Sequence, residues 1–354
     1  MSITRYCVGD QGPAISEIRD HLVRLGLLGP VNSNVFDDEV FNAVKLFQQQ
    51  RGLSVDGIVG SDTWKRLDEA VWSLGDRVLS YQVGNLIHGD DVGQLQQRLT
   101  QLGFSPGNVD GIFGKRTEKA VKEFQRAIGV IDDGIVGVHT ILGLNRLNRT
   151  VAGGNAAALR EKLKHETKRT GIANRTILLD IGSDPFIDKY LADQTTQIAT
   201  KIVKLIEGRL AALGTNVLVT HSSDGRDSTI TRADFANESA ADLVLSVQIG
   251  VADDAAISGV LGYFFAGTHG YSLLGEEFAQ LIVAELLDCT DFGGGEVLGK
   301  SWPLLRATVM PAVRIDLGFI TSPTDAQLLA KPGNLTAAAD AAVAALAKFF
   351  APLS

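Results

Sequence analysis

Cysteine is scarce in this chain, with two in 354 residues. Cys7 and Cys289 fall far apart and in different expected domains, so both read as plain thiols, and two thiols alone cannot build a thiolate metal site. Positive charge is also in deficit. Lys and Arg total 33 against 41 Asp and Glu, for a formal charge of −8, which argues against a phosphate-binding surface because nucleic acid and anionic lipid select basic faces. No stretch reaches the roughly 18 consecutive apolar residues of a membrane span. The opening MSITRYCVGDQG lacks the basic segment and apolar run of a secretory leader. With residue 1 as the native start, these absences lead to the expectation of a cytoplasmic protein with no nucleic-acid partner and no membrane span.

What is present is 45% hydrophobic residues, enough to bury more than one core in two or three domains. The chain also repeats itself. GDQGPAISEIRDHLVRLGLL at Gly9 returns as GDDVGQLQQRLTQLGF at Gly89, and FNAVKLFQQQRGLSVDGIVGSDTWKRL at Phe41 returns as EKAVKEFQRAIGVIDDGIVGVHTILGL at Glu118. Apolar residues at helical spacing (Ile15, Ile18, Leu22, Leu25, then Val44, Phe47, Trp64, Leu67) imply three short helices per copy. The DGIVG turns at Asp56 and Asp133 supply glycine for backbone that other residues resist, and Ser61 or Asp62 is placed to cap the third helix. After a small, polar and charged stretch from Thr150 to Asn174, with Gly153 and Gly154 as a flexible joint, the period changes. Short β-rich runs (TILLDIG, TNVLVTH, DLVLSVQIG, PAVRIDLGFI) alternate with helical segments, one of which carries Ile198, Ile202, Val203, Leu205 and Ile206 on a broad stripe. That alternation predicts an α/β domain whose mostly parallel sheet is covered by helices on both faces.

The repeated pattern resembles the small three-helix peptidoglycan-binding domain, in which GD…V…LQ, DG.FG..T..AV..FQ and DG.VG..T recur in that order. VDGIFGKRTEKAVKEFQ fits closely, and Asp110 and Asp133 become binding candidates; the first copy has SNVFDDEVFNAVKLFQ in place of its first Asp-Gly turn. The later domain resembles the zinc-dependent N-acetylmuramoyl-L-alanine amidases, through LLDIGSD, RADFANESAADLVLSVQIG and MPAVRIDLGFITSP. The fold expected is therefore mixed. Two small three-helix peptidoglycan-binding modules (residues 1–75 and 81–148) and a linker (149–173) precede an α/β amidase-like domain (174–354) with a mostly parallel twisted sheet.

That resemblance implies a zinc held by His, Glu and His, with a further Glu as general base; zinc lowers the pKa of its bound water from about 15.7 to about 7. This chain carries Ser183, Thr195 and Gln248 at the ligand positions and Asp316 at the base position. Ser, Thr and Gln offer neutral oxygens that suit zinc poorly, so the expectation is no metal, no cofactor and no catalytic residue, a pseudo-amidase. Arg314 lies two residues before Asp316 on the same strand and leaves the same face. Its guanidinium either replaces part of the missing metal charge or makes an ordinary ion pair at a sheet end. Arg232, in the RADFAN motif, is a further binding candidate. His221 and His269 each lack a second imidazole at ligand spacing and read as solvated or hydrogen-bonded side chains. The loop around Ser222 reads as a contact surface, Asp180 as a turn cap, and FGGGEV as a flexible loop.

The order of two such modules and an amidase domain without its ligands is similar to a group of actinobacterial cell-wall proteins. That resemblance implies a cytoplasmic, phosphorylation-dependent regulator of peptidoglycan precursor synthesis. The implied partners are the UDP-N-acetylglucosamine enolpyruvyl transferase, a Ser/Thr kinase and a membrane-side scaffold. Two alternatives stay open: a zinc-dependent amidase with an atypical site, and a protein that binds muropeptide or lipid-linked precursor.

Overall fold

The computed structural model describes residues 5–30, 33–147, 165–166, 169–182, 189–220, 229–252, 254–268 and 270–352. The chain divides into two compact units, residues 1–157 with 266–271, and residues 158–265 with 272–354.

In the first unit the repeat is visible as two three-helix modules. Helices α1 (Pro13–Arg24), α2 (Asp38–Gln50) and α3 (Ser61–Ala70) bury Ile15, Ile18, Leu22, Val44, Phe47 and Leu67 in one core. Helices α4 (Asp90–Gln101), α5 (Lys115–Ala127) and α6 (Val138–Leu147) bury Val92, Leu95, Leu99, Val121, Phe124 and Leu144 in a second. The helical spacing read from the sequence is the spacing of these buried residues. Expected as separate modules, the two pack as one unit and are tied by an ion pair between Arg51 and Asp90 at 2.5 Å, with both side chains largely buried. The N-cap position of α3, expected at Ser61 or Asp62, is held by Gly60.

The second unit is a three-layer α/β structure. Its strands are β1 (Thr176–Ile181), β2 (Asn216–Thr220), β3 (Leu243–Gly250), β4 (Val260–Phe265), β5 (Gly294–Lys300) and β6 (Ala312–Phe319). They form one sheet in the order β2-β1-β3-β6-β4-β5, parallel throughout except where β4 runs against β6. Helices α7 (Lys189–Ala212), α9 (Leu273–Cys289) and α12 (Pro332–Phe349) cover one face, while α8 (Thr229–Glu238) and α10 (Pro303–Ala307) cover the other. A short helix, α11 (Pro323–Leu329), follows β6 and is capped by Ser322.

The central strands β1, β3 and β6 are buried on both faces, as parallel strands between helix layers must be. Two expectations change here. The glycine run of FGGGEV opens strand β5: Gly294 and Gly295 take positive φ at an irregular register, after which Val297 to Lys300 pair regularly with β4. Part of the stretch expected as linker belongs to the second unit, since His165 Nε2 lies 3.1 Å from the Phe349 carbonyl and the Gly171 amide donates to that of Phe350 at 2.9 Å. Gly153 and Gly154, the expected joint, lie outside the described residues. No described helix is long and apolar enough to cross a membrane.

Candidate functional site

Side chains two residues apart on a strand share a face, and parallel register then lines them up across the sheet. Thr220 on β2 is level with Asp180 on β1, Asp180 with Ser246 on β3, Ser246 with Arg314 on β6, and Arg314 with Tyr263 on β4. One polar residue from each of five strands therefore forms a row. It crosses the face whose apolar lining is Leu178, Val244, Ala312 and Phe265, under Ala236 of α8 and Leu305 of α10.

At one end of the row Asp180 is fully buried and saturated with donors. The Thr220 hydroxyl donates to Oδ1 at 2.7 Å and the Ser246 hydroxyl to Oδ2 at 2.6 Å, while Arg232 Nε of α8 lies 2.8 Å from Oδ1. A buried carboxylate survives only when paired and hydrogen-bonded, and this one is both. Asp180, expected as a turn cap, is instead an anchor inside the sheet, and Arg232 is its counter-ion.

At the other end, one step further along the strands, Asp316 is level with Gln248 of β3 and Leu261 of β4. Arg314 grips Asp316 with a two-point fork, Nε to Oδ1 at 2.7 Å and Nη2 to Oδ2 at 3.0 Å, the geometry in which guanidinium and carboxylate match best. The guanidinium lies over the Trp302 ring at 4.4 Å and over the Tyr263 ring at 5.5 Å, positions in which a cation is attracted by the ring faces. The Tyr263 hydroxyl is pushed well above the ordinary phenol range by burial first and by the Asp316 charge second. Lys300, at the end of β5, stands 5.9 Å from the Trp302 ring centre, and burial lowers its pKa.

Two of the three ligand-position residues, Thr195 and Gln248, lie among the described residues. Thr195, on α7, is buried and donates its hydroxyl back to the carbonyls of Leu191 and Ala192 at 2.9 and 3.1 Å. The Gln248 amide fills the space beside Gly182 where a Cβ would sit. Ser183, His221, Ser222 and His269 lie outside the described residues. Among the described residues no three His, Cys, Asp or Glu side chains are grouped to hold a metal ion.

In the first unit, Asp110 and Asp133 sit in a network that occurs three times. Gln96 Nε2 donates to Asp110 Oδ1 (2.8 Å), the Ile112 carbonyl (3.0 Å) and Thr117 Oγ1 (3.2 Å), while its Oε1 accepts from the Gly111 amide (2.8 Å). Gln125 repeats this with Asp133, Ile135, Thr140 and Gly134, and Gln48 with Asp56, Ile58, Thr63 and Gly57. The sequence DG.VG..T is thus the imprint of a buried glutamine from the preceding helix tying down the next turn. The position equivalent to Gln96 in the first module is Arg19, whose Nη1 donates to the Val35 carbonyl (3.1 Å) and to Asp37 (2.8 Å), while Asp37 caps α2 through the Val40 amide. The first module has exchanged an amide network for an ion pair, which is why its first Asp-Gly turn is missing.

Residues 192–348 match the family of N-acetylmuramoyl-L-alanine amidases, and residues 11–67 and 88–141 each match a putative peptidoglycan binding domain. The second unit is amidase-like and the first carries the peptidoglycan-binding segments; the chain belongs to the N-acetylmuramoyl-L-alanine amidase family. Its similarity to the N-acetylmuramoyl-L-alanine amidase CwlM of Mycobacterium tuberculosis is 35% identity over 360 residues, spanning 97% of this chain and 88% of that one. A probable N-acetylmuramoyl-L-alanine amidase of Bacillus licheniformis is 33% identical over 150 residues, 37% of this chain and 42% of the relative. Among solved structures, the N-acetylmuramoyl-L-alanine amidase from Clostridium difficile superposes with a TM-score of 0.45 at 21% identity, over 50% of this chain and 96% of that one.

The zinc this family implies does not fit the residues in place. The Thr195 hydroxyl is committed to its own helix, Gln248 brings a neutral amide, and both oxygens of Asp316 are held by Arg314. Neutral oxygen donors give borderline-soft zinc little reason to leave water. Asp180 and Ser246 were not expected at this face. Their signal in the sequence is a polar residue inside a largely apolar strand, Asp180 in LLDIG and Ser246 in LSVQIG, which only the register makes into neighbours.

Proposed function

We propose that this amidase homologue does not hydrolyse peptidoglycan and acts instead in the cytoplasm as a regulator of peptidoglycan precursor synthesis through protein partners. The observation that carries the reading is Asp316: at the general-base position, its carboxylate is bound at both oxygens by Arg314. A base engaged by a guanidinium cannot accept a proton from water without giving up that pair. The row from Thr220 to Tyr263 keeps the sheet assembled without the chemistry, and a fold retained in this way serves as a docking surface. The partners proposed are the UDP-N-acetylglucosamine enolpyruvyl transferase, a membrane-side scaffold and a Ser/Thr kinase whose phosphate, with nearly two negative charges, would shift the choice between the other two.

Full-length protein incubated with zinc chloride and a soluble muropeptide is expected to release no free stem peptide. In titrations it is expected to bind the transferase, with different affinities before and after phosphorylation. Turnover of the muropeptide, or identical affinities in every combination, would overturn the reading. The match of both modules to a peptidoglycan binding domain favours a second role, capture of muropeptide or lipid-linked precursor by the first unit. Saturable binding of muropeptide to the full chain measures it directly.

A further inference from the structure

We infer that Arg314 is the resident cation of the sheet-end centre, and that its guanidinium excludes a divalent metal even when metal ligands are supplied beside it. The inference deepens the proposed loss of amidase activity and rests on it, but it concerns a separate question: whether the centre is merely short of ligands or has been rebuilt around a different positive charge.

Three observations support rebuilding. Arg314 satisfies both oxygens of Asp316 and is seated over two aromatic faces, so the cation has its own built site. The acidic and basic groups on this face pair one for one, Asp180 with Arg232 and Asp316 with Arg314. Nearby, Lys300 adds a positive charge and Glu296 a negative one on β5. A divalent ion placed against Gln248 and Asp316 would thus enter a balanced array, next to a guanidinium in a largely buried setting where like charges repel strongly. Finally, Gln248 and Asp316 are level on neighbouring strands, about 4.8 Å apart, so a ligand grafted at residue 248 is anchored beside the strand position that the Arg314–Asp316 pair occupies.

The test grafts ligands with and without the cation. Full-length Thr195→Glu/Gln248→His is compared with the same protein carrying in addition Arg314→Leu, Arg314→Gln or Arg314→Lys. Zinc chloride alone is the probe, with calorimetric titration and the zinc-induced shift in melting temperature as readouts. Removing the charge with Leu or Gln should tighten zinc binding at least about tenfold, whereas Lys, which keeps the charge and loses the fork, should leave it near the Arg314 value. Gln is the fallback if Leu, lacking any hydrogen bond to Asp316, does not fold. Equal zinc affinity with Arg, Lys, Gln and Leu at position 314 would overturn the inference. Muropeptide cleavage by the unmodified protein would overturn the proposed function instead, so the two failures are told apart.

Discussion

Asp180 offers the sharpest quantitative test of the row across the sheet. Replacing it with Asn keeps the shape but removes the charge that Thr220, Ser246 and Arg232 all address, in a position with no solvent access. Removing one partner of a buried ion pair typically costs about 3–5 kcal/mol, because the other charge stays behind without its counter-ion. For a unit of nearly two hundred residues, each kcal/mol moves the melting temperature by about 2–4 °C, so Asp180→Asn should lower it by roughly 6–20 °C. Hydrogen exchange is the suitable assay, since peptides from β1 and β3 report the second unit while peptides from α4 and α5 serve as an internal reference in the first. The expected result is faster exchange in β1 and β3 with α4 and α5 unchanged. Adding Arg232→Gln should recover part of the loss, because taking away both charges relieves the uncompensated one. A loss below about 1 kcal/mol, or no recovery in the double variant, would refute the view of Asp180 as the anchor of the sheet.

The turns of the first unit are equally testable. Gln125→Ala removes three donated bonds and one accepted one and should destabilise the module by about 2–3 kcal/mol in urea unfolding, leaving the buried Gly134 amide unsatisfied. Gly134 has φ +79°, and an added Cβ would stand 2.8 Å from Lys122 Cε, so Gly134→Ala should cost about 1–2 kcal/mol from the left-handed backbone alone. Asp37 is held below the usual carboxylate value, first by the Val40 amide and then by Arg19. Its contribution is therefore fully present above its unfolded pKa of about 3.9 and is lost as pH falls through the lower folded value. Asp37→Asn, which keeps the cap, should flatten that acid limb of the stability profile.

Much of this architecture was legible because it is periodic. The helical spacing of Ile15, Ile18 and Leu22, and its echo in Val92, Leu95 and Leu99, by itself determined two helical cores. The short apolar runs around Leu178 and Val244 determined strands buried on both faces. The identity of the residues at positions 195, 248 and 316 likewise depends on sequence alone.

What the tertiary structure decided is which polar residues meet. Asp180 and Ser246 lie 66 residues apart, and Trp302 reaches Arg314 from outside its strand. Such encounters depend on strand order, parallel register and the direction of each side chain, none of which leaves a period in the sequence. Asp325 is a further case: buried beyond the end of β6, it accepts from the Gly259 and Phe319 amides at 2.7 and 2.9 Å and joins the start of β4 to the end of β6 without any local pattern announcing it. The Arg314–Asp316 pair stands between the two. Their spacing of two on one strand gave them a common face, but only the approach of Tyr263 and Trp302 made that face a seat for a cation, because desolvation and ring orientation are properties of packing.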